Sequence, residues 1–374
     1  MKIIHTADLH LDSSMKTHLD SQKANERRNE LTLNFSRLCD TAEDLGVKAI
    51  IIAGDLFDTG SVSKKVANAV LMQINKHSGI HFYYLKGNHD KNSFIGYIKS
   101  VGEVPANLFT FTDSWQSYVM NPDTQDKKIV LYGAEFNENA NELTAVFEAD
   151  LNDINIVTLH GQENEYSGRD RADIVNLSSL RDRGIDYLAL GHVHEFKLKE
   201  LDSRGVYCYP GCLEGRGFDE CGDHGFVLLD VNEKTGDIIP QFMDFAYRKL
   251  HVLEIDISEC TGSSEVIEKI KESFSDHRLS ERDSVRFKLV GETDENAEIN
   301  EDIISDAFKN EFYFVGVKNE SKIKVDYMRY ANDESLKGWF IRLVHESDEI
   351  DDEDKGRIVR MGLNALTEKE EILQ

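Results

Sequence analysis

Five short apolar runs in this 374-residue chain stop at residues that can bind metal ions. The first spans residues 2–7 and reaches Asp8 and His10. The second, Ala49-Ile50-Ile51-Ile52-Ala53, reaches Gly54-Asp55-Leu56-Phe57-Asp58. Ile80 to Leu85 leads to Gly87-Asn88-His89-Asp90, Ile154 to Leu159 leads to His160-Gly161, and Tyr187 to Leu190 leads to Gly191-His192-Val193-His194. Each run has the length of one buried strand, and in open α/β folds ligands bind at the rim where such strands end. A single histidine at a strand end is ordinarily a surface or hydrogen-bonded residue. Five ends of this kind, with glycine beside four of them, point to one shared site.

The segments between the runs read as crossover helices. Leu31, Phe35, Leu38, Ala42 and Leu45 fall on one face of a helix expected over Asn25 to Leu45, with Gly46 as its C-terminal cap. Val62, Val66, Val70 and Ile74 do the same for a helix over Ser63 to Lys76. This βαβαβ order predicts a parallel sheet. Residues 91–128 read as irregular, with short helical pieces and a turn at Asn121-Pro122-Asp123. Strands follow at Ile129 to Phe136, Val206 to Tyr209 and Phe226 to Val231, with a short helix over Glu142 to Asp150.

Near residue 248 the character changes. Strands are expected over His251 to Ile257, Ser284 to Val290, Phe312 to Val317 and Ile323 to Tyr327, and helices capped by Ser264 and Asn300. This predicts a small α+β module. Beyond it, Leu336, Phe340, Leu343 and Val344 form one apolar helical face, and Ile358, Met361 and Ala365 begin another. Between the two, Glu346 to Asp354 carries seven acids in nine residues, a solvated hinge. These helices either pack on the body or dock on a partner.

No stretch approaches the roughly 18 apolar residues of a membrane span. Met1-Lys2-Ile3-Ile4-His5 enters a strand directly, with no signal peptide ahead of it, so a cytoplasmic location is expected. Five sparse cysteines argue against a disulfide framework. Cys208, Cys212, Cys221 and His224 are a conceivable zinc set, but their spacing matches no familiar zinc motif, and ordinary strand and turn cysteines are expected. The net charge of −26, from 43 basic and 69 acidic residues, argues against broad DNA binding by this chain alone. Bound divalent cations or a basic partner would reverse the field locally. Arg27, Arg28, Arg169, Arg171 and Arg216 are candidates for phosphate contacts, and none is assigned one.

Carboxylate, amide oxygen and imidazole together suit borderline divalent ions rather than a thiolate zinc site. The seven donors Asp8, His10, Asp55, Asn88, His160, His192 and His194 are too many for one such ion with open positions. Two ions sharing Asp55, roughly 3.5–4 Å apart, account for them.

The series Asp8-x-His10, Gly54-Asp55-x-x-Asp58, Gly87-Asn88-His89-Asp90, His160 and Gly191-His192-x-His194 resembles the calcineurin-like metallophosphoesterase superfamily, over about residues 1–245. Within it, residues 54–60, and Tyr209-Pro210-Gly211-Cys212-Leu213-Glu214 followed by Gly217-Phe218-Asp219-Glu220, resemble the SbcD-type nuclease subunits of double-strand-break repair. The resemblance implies an α/β fold: a β-sandwich flanked by helices at 1–247, a small α+β capping domain at 248–330 and a C-terminal helical tail at 331–374. It implies that Asp8, His10, Asp55 and His194 hold one metal, Mn²⁺ above others, and that Asp55, Asn88, His160 and His192 hold the second. A metal-bound water or hydroxide would attack the phosphodiester, with His89 as general acid, Asp90 orienting His89, and Asp58 supporting the ligands. In archaeal and eukaryotic relatives the Asp58 position is commonly histidine, so a role known there does not transfer. The implied partners are DNA, an SbcC-like coiled-coil ABC-type ATPase docked on the helices at 334–344 and 356–368, and a second copy of the chain. The competing reading is a phosphodiesterase for nucleotides or other small esters on the same scaffold. A scaffold that had lost activity is expected to lack a ligand, and none is missing.

Overall fold

The central strands are covered on both faces, which is why their sequences are continuously apolar rather than alternating. The computed structural model describes all residues except 16–18, 60, 91–92, 103, 136–139, 164–173, 295–296, 325–326 and 373–374. It divides into two compact units, Met1–Lys249 and Leu250–Gln374.

In the first unit β1 (Lys2–Thr6), α1 (Ser21–Asp44), β2 (Ala49–Ala53), α2 (Lys64–Lys76), β3 (His81–Leu85), α3 (Ser93–Val101) and β4 (Leu108–Thr110) wind one parallel half-sheet. The chain then builds a second sheet from β5 (Gln116–Val119), β6 (Ile129–Gly133), α4 (Ala140–Ala145), β7 (Ile154–His160), the short β8 (Gln162–Glu163) and β9 (Ile174–Val175), α5 (Leu177–Leu180), β10 (Tyr187–Gly191), β11 (Lys197–Glu200) and β12 (Val206–Tyr209). It returns to the first sheet through β13 (Gly225–Val231) and β14 (Ile238–Asp244). The orders are β14-β13-β1-β2-β3-β4 and β11-β12-β10-β7-β6-β5.

Side-chain alternation sorts the residues into layers. Ile3, Ala49 and Ile51 of the first sheet meet Leu131, Ile156, Tyr187 and Ala189 of the second. The intervening Ile4, Ile50 and Ile52 pack on Phe35, Leu38, Val70 and Ile74 of α1 and α2. On the far side, Val157, Leu159, Leu188 and Leu190 pack on Phe147, Leu177 and Leu180. The result is a helix–sheet–sheet–helix sandwich. Register then places the strand ends together: Thr6 pairs with Ile52, Ala53 with Leu85, and His160 with Gly191.

The structure departs from sequence expectation where strands are short or at an edge. Residues 91–128 hold α3, β4 and β5, and β11 and β14 have no counterpart in the apolar pattern. β11 and β14 are edge strands with little buried surface, so their sequences carry a weak apolar signal. The short helix spans Ala140–Ala145 rather than 142–150, and Phe136 lies outside the described residues.

The second unit contains β15 (Leu250–Asp256), α6 (Ser263–Ser273), β16 (Ser284–Val290), β17 (Glu292–Asp294), α7 (Glu301–Phe308), β18 (Phe314–Asn319), β19 (Lys322–Lys324), α8 (Leu336–Glu346) and α9 (Asp352–Ile372). β15, β16 and β18 form a parallel sheet whose buried face, including Leu253, Ile255, Phe287 and Leu289, packs on α6 and α7. Asn300 caps α7 by accepting from the amides of Asp302 and Ile303, whereas α6 starts from Gly262 without a side-chain cap, not from Ser264. Residues 331–374 group with this unit, and Ile341, Val344, Val359 and Leu363 share a small core with Tyr330. The buried stripe of α8 is Gly338, Ile341 and Val344, so two of the residues expected on it, Leu336 and Leu343, are exposed instead. No helix among the described residues is long and apolar enough to cross a membrane.

His5 is fully buried between the sheets, with Nδ1 2.9 Å from the Tyr187 hydroxyl, and burial holds its pKa at about 3. Between that value and the ordinary 6.5 the unfolded chain binds a proton that the folded chain refuses. Stability is therefore lost as pH falls below the unfolded value. Lowering the pH from 7 to 5 is expected to cost the parent chain about 2 kcal/mol more than it costs His5→Gln. Urea unfolding at both pH values, with chelator present, measures this, and equal losses would clear His5 of any part in acid sensitivity.

Candidate metal centre

The loops after β1 and β2 are stitched to each other by backbone bonds. The Asp8 amide donates to Gly54 O at 3.1 Å, His10 to Asp55 O at 3.0 Å, and Leu11 to Leu56 O at 2.9 Å. Turning the side chains into one rim requires left-handed backbone at Asp8 (φ 52°), His10 (φ 45°), Asp55 (φ 49°) and His192 (φ 97°). Such conformations cost about 1–3 kcal/mol each and gather where function demands them. The neighbouring glycines follow from the same crowding. A Cβ on Gly54 would lie 2.0 Å from His160 Nδ1, and one on Gly87 would lie 2.1 Å from Asp55 Oδ1.

All seven predicted donor residues meet at this rim. His10 Nε2 and His194 Nε2 face each other at 3.1 Å. Asp55 Oδ2 stands 3.9 Å from His10 Nε2 and 3.4 Å from His160 Nε2, and His160 Nε2 is 3.2 Å from Asn88 Oδ1. Donor atoms of Asp8, His10 and His194 all lie within 4.8 Å of one another, as do those of Asp8, Asp55 and His160. The His192 ring stands edge-on to His160 with centroids 5.3 Å apart, and its amide donates to both Asp8 oxygens at 3.0 Å. Two nitrogens bound to one ion at about 2.1 Å and a right angle would be about 3 Å apart. The His10–His194 pair has that separation, and the donor set fits borderline divalent ions with Asp55 placed between two groups of ligands.

Each imidazole is turned by what its other nitrogen meets. His160 Nδ1 donates to Ala53 O at 2.9 Å and His194 Nδ1 donates to Glu220 Oε1 at 2.7 Å, which frees both Nε2 lone pairs. His10 Nδ1 is 3.2 Å from Asp58 Oδ1, close enough for attraction but too poorly aligned for a hydrogen bond. Arg216 ties these carboxylates together, with Nη1 2.9 Å from Asp58 Oδ1 and Nη2 2.9 Å from Glu220 Oε1. Burial opposes the Glu220 charge, yet His194 and Arg216 hold its pKa well below the ordinary glutamate value. Burial likewise opposes charge on Asp55 and His160, and their mutual pairing prevails. It lowers the Asp55 pKa and raises that of His160 to about 9. A divalent cation would compete with that proton for Nε2.

His89 and Asp90 do not pair as expected. His89 Nδ1 donates to the backbone carbonyl of Asp58 at 3.0 Å, so Asp58 orients the ring. The buried Asp90 carboxylate accepts from the amides of Leu56, Phe57 and Gly87 at 2.9–3.1 Å and fastens two ligand loops together. Burial, aided by repulsion from Asp55, pushes its pKa up to about 6.

Glu220 and Arg216 are the supporting residues that sequence reasoning left without a role. Both lie in the segment that follows Pro210-Gly211, and only a fold could bring them to His194. Arg27 is buried against Glu30 and Glu214, and Arg28 donates to the carbonyls of Ser13 and Ser14; Arg169 and Arg171 lie outside the described residues. The conceivable zinc set does not converge: Cys212 meets His224, but Cys208 sits in the inter-sheet core and Cys221 is exposed.

The family model for calcineurin-like phosphoesterases matches residues 1–196. The uncharacterized metallophosphoesterase YhaO of Bacillus subtilis is 27% identical over 304 residues, covering 78% of this chain and 72% of its own. The DNA double-strand break repair protein Mre11 of Methanopyrus kandleri is 23% identical over 277 residues, 68% of this chain and 59% of its own. The SbcD component of the Escherichia coli nuclease SbcCD is 36% identical over 93 residues, 24% of this chain and 21% of its own. The first two alignments are longer than the first unit of 249 residues and so run into the second.

Asp55→Ala is expected to reduce the content of both ions, whereas Glu220→Ala is expected to weaken one of two by about 10–100-fold. Elemental analysis and calorimetric metal titration distinguish the two patterns. Undiminished metal in Asp55→Ala would remove the shared carboxylate, and two equally weakened ions in Glu220→Ala would remove the tie to one site.

Proposed function

Since the chain belongs to the calcineurin-like phosphoesterase family, we propose that it is a dinuclear-metal phosphodiesterase acting on DNA, an exonuclease and endonuclease of the SbcD type in double-strand-break repair. The observation that carries the phosphodiesterase reading is the placing of one carboxylate, Asp55, between imidazoles delivered by different strands. Asp8, His10, Asp55 and His194 would hold one ion and Asp55, Asn88, His160 and His192 the other, with Mn²⁺ the preferred metal. Bound there, the two cations would supply an activated water and neutralise charge on the phosphoryl group.

The chain's own residues do the rest. Asp58 accepts from His89 Nδ1 and leaves Nε2 for the substrate. The exposed His89 ring, when it carries a second proton on Nε2, gives that proton to the departing sugar oxygen and returns to the neutral form with Nδ1–H still on the Asp58 carbonyl. Arg216 and Glu220 hold the His194 ring in the tautomer that binds metal. Asp90 keeps the Asp55 and Asn88 loops together.

The assignment to DNA leans on relatives named as a DNA double-strand break repair protein and as part of a nuclease. The same relation supports an SbcC-like ABC-type ATPase as partner. Leu336, Trp339 and Leu343 present an exposed apolar stripe on α8 that suits such docking, with a second copy of the chain as the competing occupant. The second reading, hydrolysis of nucleotides or other small phosphodiesters, is favoured by the net charge of −26.

End-labelled duplex and hairpin DNA and a chromogenic phosphodiester, each incubated with Mn²⁺, Mg²⁺ or chelator, separate the readings. DNA cleavage with Mn²⁺ that chelator abolishes supports the nuclease. Turnover of the chromogenic diester alone supports the small-substrate enzyme. His89→Ala is expected to keep its metals and to lose about 10²–10⁴-fold in cleavage rate. Cleavage at the parent rate would take His89 out of the mechanism.

A further inference from the structure

Among the described residues of the second unit, one cation has no ion pair to a carboxylate. Arg360 on α9 is half-buried, and its guanidinium donates to Thr293 Oγ1 at 3.2 Å, Ser321 Oγ at 3.3 Å and Ser321 O at 3.5 Å. Among the described residues no carboxylate oxygen forms an ion pair with it. Burial lowers its pKa, and the more distant Glu301 offsets only part of that. A guanidinium taken partly out of water and held by neutral oxygens alone still has its charge to satisfy.

Arg360 lines a cavity of about 720 Å³ between β17, β19 and α9, which Lys322, Lys324 and Arg357 also line. α9 reaches β19 because Gly356 faces it: a Cβ there would come within 3.1 Å of Ile323 O. The acids on the wall are Glu292 and Glu320, and Glu320 is already held by Lys288 and Lys318 from outside the cavity. Among the described lining residues, four are basic and two acidic, with Arg357 3.9 Å from Asp354, in a chain whose net charge is −26. The volume falls in the range of sites that enclose a small organic ligand, larger than a bare oxyanion requires.

We propose that this cavity binds a phosphate-bearing small molecule, whose phosphate oxygens supply to Arg360 the anionic partner that no described residue provides. A phosphate presents several acceptor oxygens and more than one negative charge, which suits a guanidinium fork backed by further cations better than a single carboxylate does. The site owes nothing to the metal centre, and its occupant need not be the substrate cut there.

Calorimetric titration of the full chain with inorganic pyrophosphate, in excess chelator so that no metal ion recruits the anion, tests this. One saturable site per chain is expected, weakened about tenfold or more in Arg360→Gln. Saturable binding left within about twofold by Arg360→Gln, or no saturable binding into the millimolar range, would overturn the proposal. Thermal unfolding followed by circular dichroism checks that Arg360→Gln folds. If it does not, Lys324→Glu on the exposed wall replaces it, with the same two outcomes.

Discussion

The site is organised around the Asp55 carboxylate. One of its oxygens lies between the Nε2 atoms of His10 and His160, and the other accepts the His89 amide at 2.9 Å. Because it sits just past the end of β2, it can be reached from both sheets only if those sheets present their strand ends at one height. The pairings of β1 with β2, β2 with β3, and β7 with β10 fix that height. A slip of one residue in any of them would turn the donors to the wrong face.

Holding so many polar groups together in a buried place has a cost that the surrounding fold meets. Four donor residues take left-handed backbone, and glycines stand where any side chain would strike His160 or Asp55. The inter-sheet core and the two helix layers, each dense with isoleucine, leucine and aromatic side chains, provide the rigidity against which this strain is kept. Among the described residues, four of the seven non-glycine positions with left-handed backbone are these donors, and the strands leading to them are regular.

Charge is handled by layers of support. If protonated, the imidazoles would repel one another and any cation brought to the rim. A carbonyl or carboxylate behind each Nδ1 of His160 and His194 selects the form with a free Nε2. Arg216 in turn balances Asp58 and Glu220, so the acids that steer the histidines do not add a bare negative charge beneath the site. Asp90, by contrast, spends its carboxylate on three backbone amides, which makes it a clamp for the loops and explains why its position beside His89 in sequence misled as to its role.

The apolar runs, their polar endings and the helices between them were legible in the sequence because each is a local pattern: a strand buried on both faces must be apolar throughout, and a donor must follow where it ends. That is enough to specify the parallel strands β1, β2 and β3 within what is a mixed sheet, closed by antiparallel β13 and β14, and the seven residues that meet at the rim. Edge strands such as β11 and β14, buried on one side at most, left no such pattern. What the chain could not reveal residue by residue is who stands behind the donors. Glu220 and Arg216 lie more than 150 residues from Asp58 and more than 20 from His194, and no periodicity links them. Only the tertiary structure decides that Asp58 holds His89 by its carbonyl, that Glu220 turns His194, and that Arg360 faces its cavity with no ion pair to a carboxylate among the described residues, since those contacts depend on distances that packing sets and sequence separation does not.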